Sequence, residues 1–128
     1  MKEELPRPTD AELEILTVLW STGPATVREV FEVISKRRAA QYSTTLKFLQ
    51  IMAEKGLVLR DEAQKAHVYS AAQPREATQK QLAGHLLERA FSGSAKALLL
   101  GALSAKKTSK AELAELRKLL EEFPKDSK

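Results

Sequence analysis

Three short amphipathic helices are predicted near the start of the chain from the spacing of inward-facing side chains. The first two follow Thr9–Glu12 and Thr26–Glu29, which both have the Thr-x-x-Glu pattern of a helix-capping box. The first ends at Gly23-Pro24, and the third runs from Tyr42 or Ser43 to about Lys55 before Gly56. The inward-facing positions are Leu13, Leu16, Leu19 and Trp20, then Val27, Val30, Phe31 and Ile34, then Thr45, Phe48, Leu49 and Met52.

Two short strands follow these helices. Residues 57–60 and 66–70 have the composition of strands, and the polar turn Asp61–Lys65 joins them into a hairpin. Three helices and a hairpin in this order predict a winged helix-turn-helix. Because Gln73-Pro74 interrupts the pattern, we assign residues 1–73 to this domain.

The remaining segment, residues 74–128, is predicted to be helical and to dimerise. About fifty residues form too small a core to be stable alone, so their leucines need a partner surface. That partner is either the winged helix of the same chain, in a compact monomer, or the same segment of a second chain, which the number of leucine stripes favours. The predicted dimerisation residues are Leu82, Leu86, Leu98, Leu100, Leu103, Leu113, Leu116 and Leu120. The expected fold class is mainly α with a small β-hairpin.

Composition excludes several classes of protein. The 128 residues leave no room for a large catalytic fold, and the absence of cysteine excludes disulfides and thiolate metal sites. The N-terminal ten residues lack the apolar core of a signal peptide, and the apolar run at 98–103 is too short to span a membrane. We therefore expect a cytoplasmic protein with no membrane partner.

Positive charge is concentrated in one stretch of the chain. Although the net charge is only +4, residues 36–47 contain four basic side chains and no Asp or Glu. A one-sided positive surface of this kind suits a phosphate backbone, and the outer face of the third helix beside it suits the DNA major groove. The predicted DNA-binding residues are Lys36, Arg37, Arg38, Ser43, Thr44, Lys47 and Gln50, together with Arg60 and Lys65 in the hairpin.

Catalysis has little support in the sequence. His67 and His85 are the two histidines, and neither has the spacing of a metal site or a catalytic triad. His85 and Glu88 lie on one predicted helix but are more simply a solvated pair. We expect no enzyme activity, no cofactor and no metal. The alternative to a DNA-binding regulator is a winged-helix protein-interaction module, whose binding would respond little to salt.

Ordered motifs through most of the chain resemble the penicillinase-repressor, or BlaI/MecI-type, family of winged-helix transcription regulators. The likeness covers roughly residues 9–120, which makes it more specific than any one motif. The motifs lie at residues 11–16, Leu19-Trp20, 23–30, 42–46, 54–58, 67–69, 91–94 and 112–116.

This resemblance implies a homodimeric repressor that binds double-stranded DNA at an inverted-repeat operator through its third helix and wing. It places Ser43, Thr44 and Lys47 at base-reading or phosphate-contacting positions. In relatives that control β-lactam resistance, an upstream receptor and protease signal leads to cleavage at an Asn-Phe bond in the dimerisation region. The matching stretch here is Leu100-Gly101-Ala102-Leu103, a departure that argues against that route. Cleavage in the helical tail, a small ligand bound between subunits and a change in protein amount remain open as release mechanisms.

Overall fold

The computed structural model describes residues 5–124, so residues 1–4 and 125–128 of the two predicted domains lie outside it. It contains six helices and three short strands within that range. They are α1 Asp10–Thr22, β1 Ala25–Thr26, α2 Val27–Ser35, α3 Tyr42–Lys55, β2 Val58–Asp61, β3 Val68–Ala71, α4 Arg75–Ala90, α5 Ala95–Ala105 and α6 Lys110–Glu122. The predicted order of helices and hairpin is confirmed.

Helices α1 and α2 begin with the capping boxes that the sequence predicts. The Thr9 hydroxyl accepts from the Glu12 amide at 3.3 Å, while the Glu12 carboxylate accepts from the Thr9 amide at 2.9 Å. Thr26 and Glu29 make the same reciprocal pair at 3.2 and 2.9 Å. At the other end of α1, Gly23 has a φ of 86°, a backbone conformation that residues other than glycine rarely adopt. Local capping therefore sets the bounds of both helices.

The hydrophobic core lies between α1, α2, α3 and the sheet. Its members are Ile15, Leu16, Val18, Leu19, Ala25, Val27, Val30, Ile34, Leu49, Met52, Leu57, Val58 and Tyr69. Phe31 and Phe48, which the sequence also placed inward, are only half-buried. This core fixes the three helices against the hairpin.

The sheet has one strand more than the sequence analysis predicted. Its order is β1-β3-β2, all antiparallel, with Ala25 opposite Tyr69 and Arg60 also opposite Tyr69 on the other side. Strand β1 has only two residues, too few to show the alternation by which a strand is recognised. The hairpin strands begin one and two residues later than predicted, and Asp61 ends β2 instead of belonging to the turn.

The chain divides into two compact units, and the boundary between them in the sequence lies between Gly84 and His85. The first half of α4 belongs to the first unit, where Thr78 is buried and the Gln81 amide donates to the carbonyls of Leu5 and Pro6 at 2.8 and 3.2 Å. Trp20 Nε1 donates to the Gln73 carbonyl at 3.0 Å. The compact unit thus continues beyond Gln73, and the functional division between residues 73 and 74 stays a prediction.

The second unit contains the end of α4, with α5 and α6. Helix α5 is capped by Ser94, and at α6 the Ser109 hydroxyl accepts from the Glu112 amide at 3.0 Å. Neither α5 nor α6 has a buried residue. Among the residues described, no helix is long and apolar enough to span a membrane.

Candidate nucleic-acid interface

Helix α3 is packed on one side and exposed on the other. Thr45, Leu49 and Met52 are buried against the first unit's core. The opposite side carries the predicted contact residues Ser43, Thr44, Lys47 and Gln50, all of which are exposed. The division of faces expected from helical spacing agrees with these exposures except at Phe48, which is only half-buried. Because the first turn contains no acidic residue, this end of α3 does not repel an anion.

The far end of α3 is fixed to the start of α1 by an ion pair. Lys55 Nζ lies 2.9 and 2.8 Å from the two carboxylate oxygens of Glu12, whose side chain is only 3% exposed. Burial disfavours the charged carboxylate, but the hydrogen bonds from Lys55 and Thr9 outweigh it and lower the pKa of Glu12. Glu12 thus caps α1 and anchors the C-terminus of α3 at once.

Arg38 is held in the turn between α2 and α3. Its Nε lies 3.2 and 3.3 Å from the Glu14 oxygens, and its Nη2 lies 2.7 Å from Glu14 Oε1. A fourth bond joins Nη1 to the Ala39 carbonyl at 3.1 Å. The Arg38 guanidinium holds the pKa of Glu14 below its usual value, and the pKa of Arg38 is raised in turn. Arg38 therefore shapes the turn, and its charge is already shared with a carboxylate.

Other predicted cations differ in their surroundings. Arg37, Lys47 and Lys65 are exposed and form no ion pair within residues 5–124. Lys36 is also unpaired in that range, but it lines a depression that includes Glu29 and Glu32. The Glu29 and Glu32 carboxylates at this depression weaken the attraction of Lys36 for a phosphate.

The hairpin offers less positive charge than its sequence indicates. Arg60 Nε lies 2.8 Å from Glu62 Oε2, and hydrogen bonding with Tyr69, together with Glu62, raises the pKa of Arg60. Asp61 Oδ1 accepts from the Ala63 amide at 2.9 Å, which tightens the turn. Of the two predicted wing contacts, Lys65 keeps a charge that no described carboxylate neutralises.

Sequence reasoning missed Arg28 on α2. Its guanidinium carbon lies 5.0 Å from the centre of the Tyr42 ring, and that ring meets Phe31 edge-on at 5.8 Å. The exposed cation is thereby held next to the first residue of α3 by a cation–π contact. The signal for Arg28 in the sequence was its place in the first turn of α2, the helix that precedes α3. The sequence analysis considered this residue only as part of the Thr26–Glu29 capping box.

Three of the predicted contacts come together around one surface depression. A cavity of about 420 Å³ is lined by Ser43, Thr44, Lys47, Phe48 and Ile51. Gln50 is exposed but does not line it. A second depression, of about 450 Å³, separates α1 from α3 and includes Arg38 and Thr44. The first of these is lined by residues of α3 alone.

A hydroxyl- and lysine-bearing helix in a winged-helix unit, beside a turn free of acids, is the arrangement of a DNA-binding domain. The sequence profile described as penicillinase repressor matches residues 8–122. The chain belongs to the penicillinase repressor family. This result confirms the resemblance carried by the sequence motifs.

Named relatives agree with the family assignment. The chain is 40% identical over 74 residues to a protein named transcriptional regulator BlaI from Mycobacterium tuberculosis (strain CDC 1551 / Oshkosh), a match over 57% of this chain and 54% of that relative. This match thus spans about half of the relative's length. Identity to a penicillinase repressor of Bacillus licheniformis is 26% over 121 residues, 94% of each chain.

A solved structure supports the fold. The solution structure of the DNA-binding domain of the repressor BlaI covers 58% of this chain and 90% of its own, with 24% identity and a TM-score of 0.51. The prediction of a winged helix is confirmed by this likeness. The relatives are named as transcription regulators and repressors and not as enzymes, which agrees with the prediction that this family member is not an enzyme.

Proposed function

We propose that this member of the penicillinase repressor family is a dimeric, DNA-binding transcriptional repressor that acts in the cytoplasm. In this proposal α3 enters the major groove of an inverted-repeat operator, and the hairpin of β2 and β3 contacts the flanking backbone. The observation that carries the proposal is that Arg37, Ser43, Thr44 and Lys47 are exposed on a winged helix, within a segment, residues 36–47, that contains no acidic residue.

Charge and side-chain length support the placement of α3. Ser43 and Thr44, in the first turn, are short enough to let the helix approach base edges or phosphates closely. Lys47 and Gln50 are long enough to reach bases from the next turn. Arg37 and Lys65, which form no ion pair among the described residues, and Arg28, held on Tyr42, supply contacts to phosphates.

Dimerisation is supported by apolar surface on the second unit. Four of the predicted dimerisation leucines there, Leu86, Leu100, Leu113 and Leu120, are 44 to 64% exposed. The other predicted dimerisation residues, Leu82, Leu98, Leu103 and Leu116, are half-buried. A second copy would cover these side chains, since symmetric dimers are the commonest oligomers. Leu119 and Phe123 extend the same exposed set beyond the residues predicted from sequence.

Two subunits related by a two-fold axis would place their α3 helices in successive major grooves, about 34 to 36 Å apart. This spacing requires an operator whose halves are inverted repeats. A fluorescence-anisotropy titration against duplex DNA tests the function, because a DNA reader loses affinity steeply as salt is added. Binding to another protein with little salt response would instead favour the protein-interaction module.

The route of release from DNA is not chosen by the sequence. The stretch Leu100–Leu103, which matches the cleavage stretch implied by the family resemblance, contains no Asn-Phe bond. An upstream receptor or protease acting elsewhere in the tail, a small ligand between subunits, or a change in protein amount would each lower occupancy. Treating the purified DNA complex with cell extract from induced cells, and following chain length, separates cleavage from the other routes.

Lys47→Ala is expected to relax base preference. If Lys47 reads a base, its loss should cost about 1–3 kcal/mol on the operator and much less on random duplex. Anisotropy titrations of both duplexes give this comparison. Equal losses on the two would assign Lys47 to the phosphate backbone instead.

Arg37→Ala and Arg38→Ala form a matched pair of adjacent charge removals. Arg37 has no ion pair among described residues, so its removal should flatten the plot of log affinity against log salt by about 0.9. Arg38 already shares its charge with Glu14, so its removal should change that slope less. The same slope change for both would show that Arg38 leaves Glu14 to bind phosphate.

A further inference from the structure

An aliphatic side chain lies beside the candidate base-reading residues of α3. Ile51 keeps 36% of its surface exposed, although Leu49 and Met52 next to it are completely buried. It follows Lys47 by four residues and Thr44 by seven, so the three side chains are neighbours along one side of the helix. This position was assigned to neither face from the sequence.

Ile51 forms one wall of the 420 Å³ depression on α3. Phe48, which is half-buried, forms the adjoining apolar surface, and Ser43, Thr44 and Lys47 supply the hydroxyl and ammonium groups. The matching ligand is a small apolar group flanked by hydrogen-bond acceptors or anions. Covering the apolar part of this surface with such a group removes it from water, which is favourable.

We infer that Ile51 and Phe48 recognise the 5-methyl group of a thymine in the major groove. This inference rests on the proposed DNA-binding function. Thymine is the base that presents an apolar group at the major-groove edge, and its O4 and the neighbouring phosphates are acceptors. Lys47 lies at the same depression, and residues 36–47 carry no acid that would repel those phosphates. Operator half-sites are therefore expected to favour thymine at the base pair that α3 places against Ile51.

The expected effect follows from the size of the group. Moving one methyl group out of water changes affinity by about four-fold. A change this small is measured best as a ratio within each protein variant, because the ratio does not depend on what fraction of the preparation is folded.

The test uses the full chain and a duplex selected by it from random DNA. Each thymine is replaced in turn by deoxyuridine, which lacks the 5-methyl group, and the ratio of the two dissociation constants is measured. For the wild-type chain we expect a ratio of about four at one position in each half-site. Ile51→Ala should bring that ratio close to one, and Ile51→Val should keep most of it.

Leu59→Ala is the matched control. Leu59 is another exposed aliphatic residue, 60% exposed, but it lies on β2 of the hairpin. A hairpin that contacts the flanking backbone meets no thymine methyl, which lies in the major groove, so this variant should keep the wild-type ratio.

Three results would overturn the inference. A wild-type ratio of one at every thymine, with the duplex still bound, refutes methyl recognition and leaves the proposed function intact. If Ile51→Ala keeps the wild-type ratio of dissociation constants, the methyl group contacts another residue. The depression on α3 would then be a site for a protein side chain. A wild-type chain that binds no duplex at all refutes the proposed function together with this inference.

Discussion

Replacing Leu113 and Leu120 by Asp is expected to abolish tight operator binding while leaving the winged helix folded. The two residues are seven apart on α6, so they lie on the same side of the helix, and 44% and 60% of their surfaces are exposed. Carboxylates at both positions would have to be buried in a dimer, which is strongly unfavourable. The chain should then be monomeric, and each subunit should bind its half-site alone.

The size of that loss follows from effective concentration. Linking two half-site contacts makes the second one intramolecular, so losing the link lowers operator affinity by about 10²- to 10⁴-fold. Sedimentation velocity and anisotropy titration on the same preparations measure both changes. Ala111→Asp is the control, because Ala111 lies on the opposite side of α6 and is exposed. A double variant that remains dimeric would place the dimer interface elsewhere.

Lys55→Met is expected to destabilise the winged helix more than removal of any other ion-pair partner. The substitution keeps most of the aliphatic stem but leaves the buried Glu12 carboxylate without its cation. Leaving a buried charged group unsatisfied costs about 1–3 kcal/mol, and the exposure of Lys55 to water keeps the loss below that of a fully buried pair. Urea denaturation of the two chains gives the difference in free energy of unfolding.

Arg38→Met is the matched comparison for this effect. It breaks the Glu14 pair, but the arginine side chain is 54% exposed, so water replaces the lost bonds. Its stability loss should be much smaller. Equal losses from the two substitutions would contradict the anchoring role given to Glu12 and Lys55.

The same pair makes stability depend on pH. Because the folded-state pKa of Glu12 is lowered, the unfolded chain binds more protons in mildly acidic solution. This contribution is complete above the ordinary pKa of about 4.3 and is lost as pH falls through the folded-state value. Thermal melting from pH 7 to 3 should show a steep loss of stability for the wild type and a smaller loss for Lys55→Met. In that variant burial still raises the pKa of Glu12, but the hydrogen bond from Lys55 that lowers it is gone.

Local sequence patterns predicted the parts of the fold that depend on neighbouring residues. Thr9 and Thr26 cap their helices through bonds that span three residues, and Gly56 ends α3 with a φ of 86°. These features need no knowledge of the rest of the chain. Strand β1 was missed because its two residues become a strand only by pairing with β3, more than forty positions later.

The candidate site was predicted less completely, for a related reason. Helical spacing placed Ser43, Thr44 and Lys47 on the outer face, but it cannot show which cations are already neutralised. Arg38 meets Glu14 across 24 positions, and Lys55 meets Glu12 across 43. Pairs so distant in sequence depend on how the helices pack.

The most direct test measures how many chains bind one duplex. Sedimentation velocity should be run on the full chain alone and with an excess of the duplex that it selects from random DNA. The account predicts a dimer in both samples, and two chains on a duplex with inverted half-sites whose centres are about 10 base pairs apart. A single chain in both samples, or a single chain on an asymmetric site, would contradict it.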